Sequence, residues 1–263
     1  MADRAGLRAK VWQWCVGLWL GRRFAMLQQE VDAFLRTTGT NVGSLPSMFS
    51  DILPADYTAI LQSGHVKQFD RGGMLHFEGD SVDRVVLLRS GLVKITKLGP
   101  AGREVILRLG EPGDVLGAAA LFSGARRHHT TAEVFRPCRG VVWNVAVFER
   151  LVERFPVLRE NMVSVLGEHL RELEDRFREV ATERVGSRVA FQLLRLIRSI
   201  GRPVDSGIEV GLSREELAQM TGTTLFTVSR LISLWEVRGI VKARREAVVV
   251  CDINSLRAIS QGE

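Results

Sequence analysis

Arg230 follows a run of short polar side chains, Thr223, Thr224, Thr227 and Ser229. A guanidinium can donate two parallel hydrogen bonds to the O6 and N7 of a guanine, and hydroxyls of this kind reach phosphates or base edges. The chemistry on offer is recognition of a nucleic-acid duplex rather than bond making. The alternative for Arg230 is an ion pair with a carboxylate such as Glu236 on a solvated surface.

Such a run needs a helix to present it, and the flanking sequence supplies one. Ser213 and Glu216 form an S-x-x-E capping box that starts a first helix. Ala218 is small where two helices approach, and Gly222 falls where the turn needs positive φ. Leu225, Val228, Leu231, Ile232 and Trp235 then give a second helix an apolar stripe at helical spacing. Two helices joined by a tight glycine turn make a helix-turn-helix, which lays its second helix in the major groove. Beyond Gly239, the runs Ile240–Ala243 and Ala247–Cys251 read as a two-stranded wing. Arg244 and Arg245 at its tip suit phosphate contacts, and Ser213 joins them as a candidate contact at the first helix's start.

The chain has 263 residues, 46% hydrophobic and 25% charged, normal for a globular protein of one or two domains. Its formal charge of +6 favours a polyanionic partner. From Gly186 to the end there are 11 Lys+Arg against 8 Asp+Glu, a net of +3, so the helix-turn-helix part shares in that charge. Cys15, Cys138 and Cys251 are too few and too far apart for a disulfide framework, a C-x-x-C metal site or an iron–sulfur cluster. A reducing cytoplasm fits them. Near the N-terminus, Val11–Leu20 is nearly all apolar and carries three of the five tryptophans. Ten residues cannot span a bilayer of about 30 Å, and no A-x-A-like cleavage site follows. The expectation is a short amphipathic helix on the body, or a native start further along at Met26, and no stable membrane association.

Between about Gly64 and Val145, short apolar or alternating runs are punctuated by glycines, which suggests a β-roll whose small interior can hold one ligand. Val85–Leu88, Leu92–Leu98 and Val105–Leu109 are expected as successive strands. After Phe155–Pro156 a long helix carries Val163, Leu166, Leu170, Leu173, Phe177 and Val180 at spacings of 3, 4, 3, 4 and 3, an unbroken heptad seam flanked by Arg and Glu. A seam of this kind can bury itself against its own domain; the regular spacing favours a parallel homodimer. The expected architecture is α+β: an N-terminal extension (1–47), a jelly-roll or double-stranded β-helix sensor domain (48–155), a dimerisation helix (156–181) and a C-terminal winged helix-turn-helix (182–263).

This order of parts, with PGDVLGAAALFSG at Pro112–Gly124 and TLFTVSRLISLWEVRGIV at Thr224–Val241, resembles the cyclic-AMP receptor protein and fumarate–nitrate reduction regulator (CRP/FNR) family of bacterial transcription factors. The likeness runs from about Met48 to Ile259. It implies a homodimer on a palindromic promoter, an effector pocket at Gly117, Ala118, Ala119, Thr130 and Thr131, and RNA polymerase as a partner if the chain activates. Members that bind cyclic AMP have a glutamate where Ala118 stands and an Arg-Ser pair where Thr130–Thr131 stand, so cyclic AMP is not expected. Many members also have a glutamate at the position of Phe226, which accepts from cytosine N4. Phe226 cannot accept; it can touch a thymine methyl, so the half-site should differ at that base. The recognition helix is similar to that of the nitrogen-oxide-responsive branch, which implies haem as a possible cofactor. Haem takes an axial His or Cys, and His65, His76, His128, His129 and His169 are available, none at a spacing that marks a ligand.

No acid/base or nucleophile constellation appears, so an enzyme is not expected. His128 and His129 are adjacent and on a strand would face opposite ways, unlike the H-x-H pair of a cupin metal site. The remaining alternative is a β-roll regulatory or protein-interaction module without sequence-specific DNA binding.

Overall fold

The computed structural model describes residues 45–262, so Val11–Leu20, Cys15 and Met26 lie outside the described residues. In chain order the elements are α1 (Pro54–Gln62), β1 (His65–Phe69), β2 (Met74–His76), β3 (Arg84–Leu98), β4 (Glu104–Gly110), β5 (Val115–Leu116), α2 (Ala118–Leu121), β6 (Thr131–Asn144), α3 (Val145–Arg154) and α4 (Val157–Thr182). There follow α5 (Val185–Ile200), β7 (Arg202–Val204), β8 (Gly207–Val210), α6 (Arg214–Thr221), α7 (Leu225–Val237), β9 (Val241–Arg244), β10 (Ala247–Val250) and α8 (Ile253–Ser260).

The first six strands form one antiparallel network, β1-β6-β3-β4, with β2 on β6 and β5 on β3. Val85–Leu88 and Leu92–Leu98 do not make two strands: both lie in β3, which runs for 15 residues. Gly91 is the reason. It adopts φ 85°, and a Cβ there would lie 2.3 Å from the Pro137 carbonyl oxygen, so the glycine makes a bulge and lets β6 approach. Register shifts on either side bend the strand without ending it. Alternation along β3 then fills two cores at once. Val86, Leu88, Val93 and Ile95 pack with Leu75, Val134 and Val142 inside the roll. Val85 and Leu87 face a second cluster, where Phe49, Tyr57, Ile60, Trp143, Phe148 and Leu158 bring α1, α3 and the start of α4 onto the sheet.

α4 buries Leu158 and Met162 against the roll and leaves the heptad seam in solvent, from 42% exposed at Leu166 to 77% at Phe177. The helix breaks at Glu183–Arg184 before α5 begins. Beyond the break, β9 and β10 are not an isolated hairpin: the sheet is four-stranded, β7-β8-β10-β9. Its core joins Val189, Leu193, Val228, Ile232 and Trp235 to Leu92, Ile106, Leu109 and Phe135 of the roll.

Candidate nucleic-acid interface and roll cavity

α6 starts at the capping box. Ser213 Oγ accepts from the Glu216 N–H at 3.2 Å, and Glu216 Oε2 accepts from the Ser213 N–H at 2.8 Å. Ser213 therefore spends its hydroxyl on the cap. Gly222 ends the helix at φ 62°, with the Thr223 N–H bonded back to the Ala218 carbonyl. Thr224 caps α7: its Oγ1 accepts from the Thr227 N–H at 3.2 Å and lies 3.0 Å from Thr227 Oγ1. These two hydroxyls set where the helix begins, and each is already half satisfied.

Val228, Ile232 and Trp235 are buried and fix α7 on Ala218 and the core. Leu225, read as part of the same stripe, is instead half exposed. Phe226 is 76% exposed, Arg230 is exposed, and Ser229 is half-buried beside them. Glu236 does not hold Arg230, because its Oε1 accepts from the Ala243 N–H at 2.8 Å and ties α7 to β9. Among the described residues no ion pair holds Arg230. At the wing, Arg244 is engaged by Glu209, which Arg202 also bonds at 3.0 Å. Arg245 stands exposed in the turn between β9 and β10, so of the two tip arginines it is the one left for phosphate. The Glu209 partnership escaped the sequence reading because the strand carrying Glu209 lies 35 residues away.

A cavity of about 700 Å³ opens between the roll and α4. Gly117, Ala118, Ala119 and Thr130 line it. Gly117 is at φ 87°, and a Cβ there would meet the Arg84 carbonyl oxygen at 2.7 Å. Thr131 is not part of the wall; its hydroxyl accepts from the Glu78 N–H at 3.0 Å. Leu166 and Leu173 of the seam also line the cavity, which joins it to the exposed face of α4.

The histidines divide. His65 lies exposed on β1, whereas His76, His128, His129 and His169 reach the cavity. His128 and His129 sit in a loop, not on a strand, and still part company, His128 buried and His129 exposed. The His76 and His128 rings stack at 3.7 Å, nearly parallel. Burial, and then the positive charge of His128 and Arg84, push the His76 pKa down to about 3; burial also lowers those of His128 and His169. Neutral imidazoles therefore stack without repulsion. The α4 end of the wall is polar, with the Arg108–Asp114 pair (2.5 Å) and the carboxylates of Glu168 and Glu172. The stack engages the faces of His76 and His128 and leaves their ring nitrogens as the candidate axial ligands if haem were held there. Among the described residues no group of three or more His, Cys, Asp or Glu is placed to hold a metal ion.

The burial of His76 makes stability depend on acid. The unfolded chain protonates His76 near the usual 6.5 and the folded chain only near 3, so unfolding takes up a proton between these values. Stability is whole above pH 6.5 and falls as the pH drops towards 3, by no more than about 1.4 kcal/mol per pH unit for this group. Denaturation midpoints measured at pH 7 and pH 5 should differ less in His76→Phe than in the parent chain.

Residues 66–155 match the cyclic nucleotide-binding domain family, and residues 187–259 match the Crp-like helix-turn-helix domain family. The chain belongs to the CRP/FNR family of transcription regulators. A CRP-like cAMP-activated global transcriptional regulator of Mycobacterium tuberculosis is 27% identical over 211 residues, 80% of this chain and 94% of that protein. A global nitrogen regulator of Synechococcus elongatus is 28% identical over 190 residues, 70% of this chain and 85% of that protein. Among solved structures, a CRP-family transcriptional regulator from Thermus thermophilus superposes with a TM-score of 0.64 at 25% identity, covering 74% of this chain and 96% of that one. The c-di-GMP-responsive regulator CLP of Xanthomonas campestris gives 0.68 at 19% identity, covering 74% and 98%, a likeness of fold. These CRP/FNR relatives are regulators by name, and the fold they share is the β-sandwich, long helix and helix-turn-helix described above. Among the described residues no helix is long and apolar enough to cross a membrane.

Proposed function

We propose that the chain is a homodimeric regulator of the cytoplasm that reads a palindromic promoter with α7 and the wing, gated by an effector in the roll cavity. The observation that carries this is the state of α7, which presents Phe226 and Arg230 to solvent while Val228, Ile232 and Trp235 hold it down. The bare heptad seam supports a second copy, since an apolar stripe of that length is otherwise left in water. A parallel pair places two recognition helices about one DNA turn apart, as a two-fold site requires. Ala118 and Thr130 stand where the family's cyclic-AMP binders place the carboxylate for ribose and the guanidinium for cyclic phosphate, and the wall's own charges, Arg108, Asp114, Glu168 and Glu172 among them, come from other positions, so the effector is a molecule other than cyclic AMP. If the chain activates, RNA polymerase is its further partner.

Titration of the protein against labelled promoter fragments over a range of salt tests the reading. Binding should weaken steeply with salt, with a log–log slope of about −0.9 for each phosphate neutralised. No retardation at any salt, with or without candidate effectors, would leave only a protein-contact role. Within this reading Phe226→Glu restores an acceptor for cytosine N4, so selection from random duplexes should move the preferred half-site to a cytosine–guanine pair at that position. An unchanged motif would show that Phe226 does not face a base.

A further inference from the structure

Arg136 belongs to β6 of the roll, yet its Nη2 donates to the Gly211 carbonyl at 3.2 Å, 75 residues further on and two residues before the cap of α6. Gly211 needs no left-handed backbone, being absent from the positive-φ glycines, but a Cβ there would lie 2.6 Å from that same Nη2. Arg136 lies 5.8 Å over the Phe135 ring, and Phe135 packs with Leu92, Ile106 and Leu109 against Leu212, Leu217 and Met220. The charge is therefore seated at the edge of a shared apolar contact, where burial and Arg202 of the second domain disfavour it and Glu209 and Glu216 of that domain partly offset them. A second bond, from the Ser199 hydroxyl of α5 to Glu111, joins the same two bodies beside the Pro112–Asp114 turn of the cavity wall.

We propose that Arg136 is a positioning residue for DNA binding: by gripping the Gly211 carbonyl it fixes the helix-turn-helix on the roll with its reading face outward. Docked in this way, Phe226, Arg230 and Arg245 all remain in solvent. A domain freed from the roll has to be ordered when it meets DNA, and that cost is subtracted from affinity. The inference rests on the DNA-reading function proposed above.

The test uses the full chain. Arg136→Met removes the donor; Gly211→Ala displaces the guanidinium from the other side, at a position where alanine's backbone is at ease. Each should weaken specific binding about tenfold, the loss expected for one hydrogen bond to a charged group. The salt slope and the selected base sequence should not change, because the DNA contacts are the same. The double variant should be no weaker than either single one, since both break one contact. Arg136→Lys, which can still reach the carbonyl, should recover part of the affinity. Unchanged or tighter binding, a shallower salt slope, or additive losses would each overturn the proposal. Amide exchange in β4 and α6 without DNA separates the two readings: it should speed up in both single variants even if the parent chain bound no DNA, and unchanged exchange would also overturn the docking role.

Discussion

Leu170→Glu is expected to convert the protein to a monomer and to lower affinity for a full two-fold site by about 10²- to 10⁴-fold, the advantage of tethering two weak contacts. Leu170 sits mid-seam, 57% exposed in the single chain. Its seam neighbours Leu166 and Leu173 line the cavity, whereas Leu170 does not, so the variant leaves the wall intact. In a parallel pair the substitution sets two like charges against each other in what would be a dry seam, which costs far more than a lost methyl contact. Light scattering reads the mass, and titrations on half and full sites read the consequence: half-site binding should hold while the full-site advantage disappears. A variant that remains dimeric would show that the two copies meet elsewhere.

Arg230→Ala should cost about 1–3 kcal/mol on the preferred site and relax discrimination at one base pair. The size follows from a charged two-pronged donor leaving its acceptors unpaired in a desolvated groove. The structure sharpens the expectation, because no ion pair with Glu236 has to be broken first: Glu236 is held by the Ala243 N–H. Stability should barely change, since Arg230 is exposed. Competition with point-mutated duplexes distinguishes base reading from phosphate contact, as an equal loss on every sequence would mean phosphate alone.

The recognition element was legible because its determinants are local. The capping box, the positive φ of Gly222 and the apolar i, i+4 and i+7 positions Val228, Ile232 and Trp235 all act within two turns of chain. The heptad seam was legible for the same reason. The roll was less so. Gly91 reads as a break, and only the long-range approach of Pro137 and Cys138 turns it into a bulge inside one strand. Pro203 and Gly207 hid the β7–β8 hairpin, which joins the sheet only because β8 pairs with β10, some forty positions away. The His76–His128 stack joins two loop-edge residues 52 positions apart, beyond any spacing rule. Arg136 offers no signal at all: a cation on a strand with solvent on one side looks like any other surface charge.

The cluster that runs from Leu92 and Phe135 into Leu217 and Met220 has a practical meaning for anyone cutting the chain. Severing it near residue 182 would not release a finished domain with a polar exterior. It would strip a lid of four apolar side chains, Leu92, Ile106, Leu109 and Phe135, from one flank of the reader, and that raw flank would seek cover in self-association. The break between α4 and α5 is thus a joint in the chain trace but not a seam in the interior, and the portion that touches DNA completes its own core with borrowed side chains.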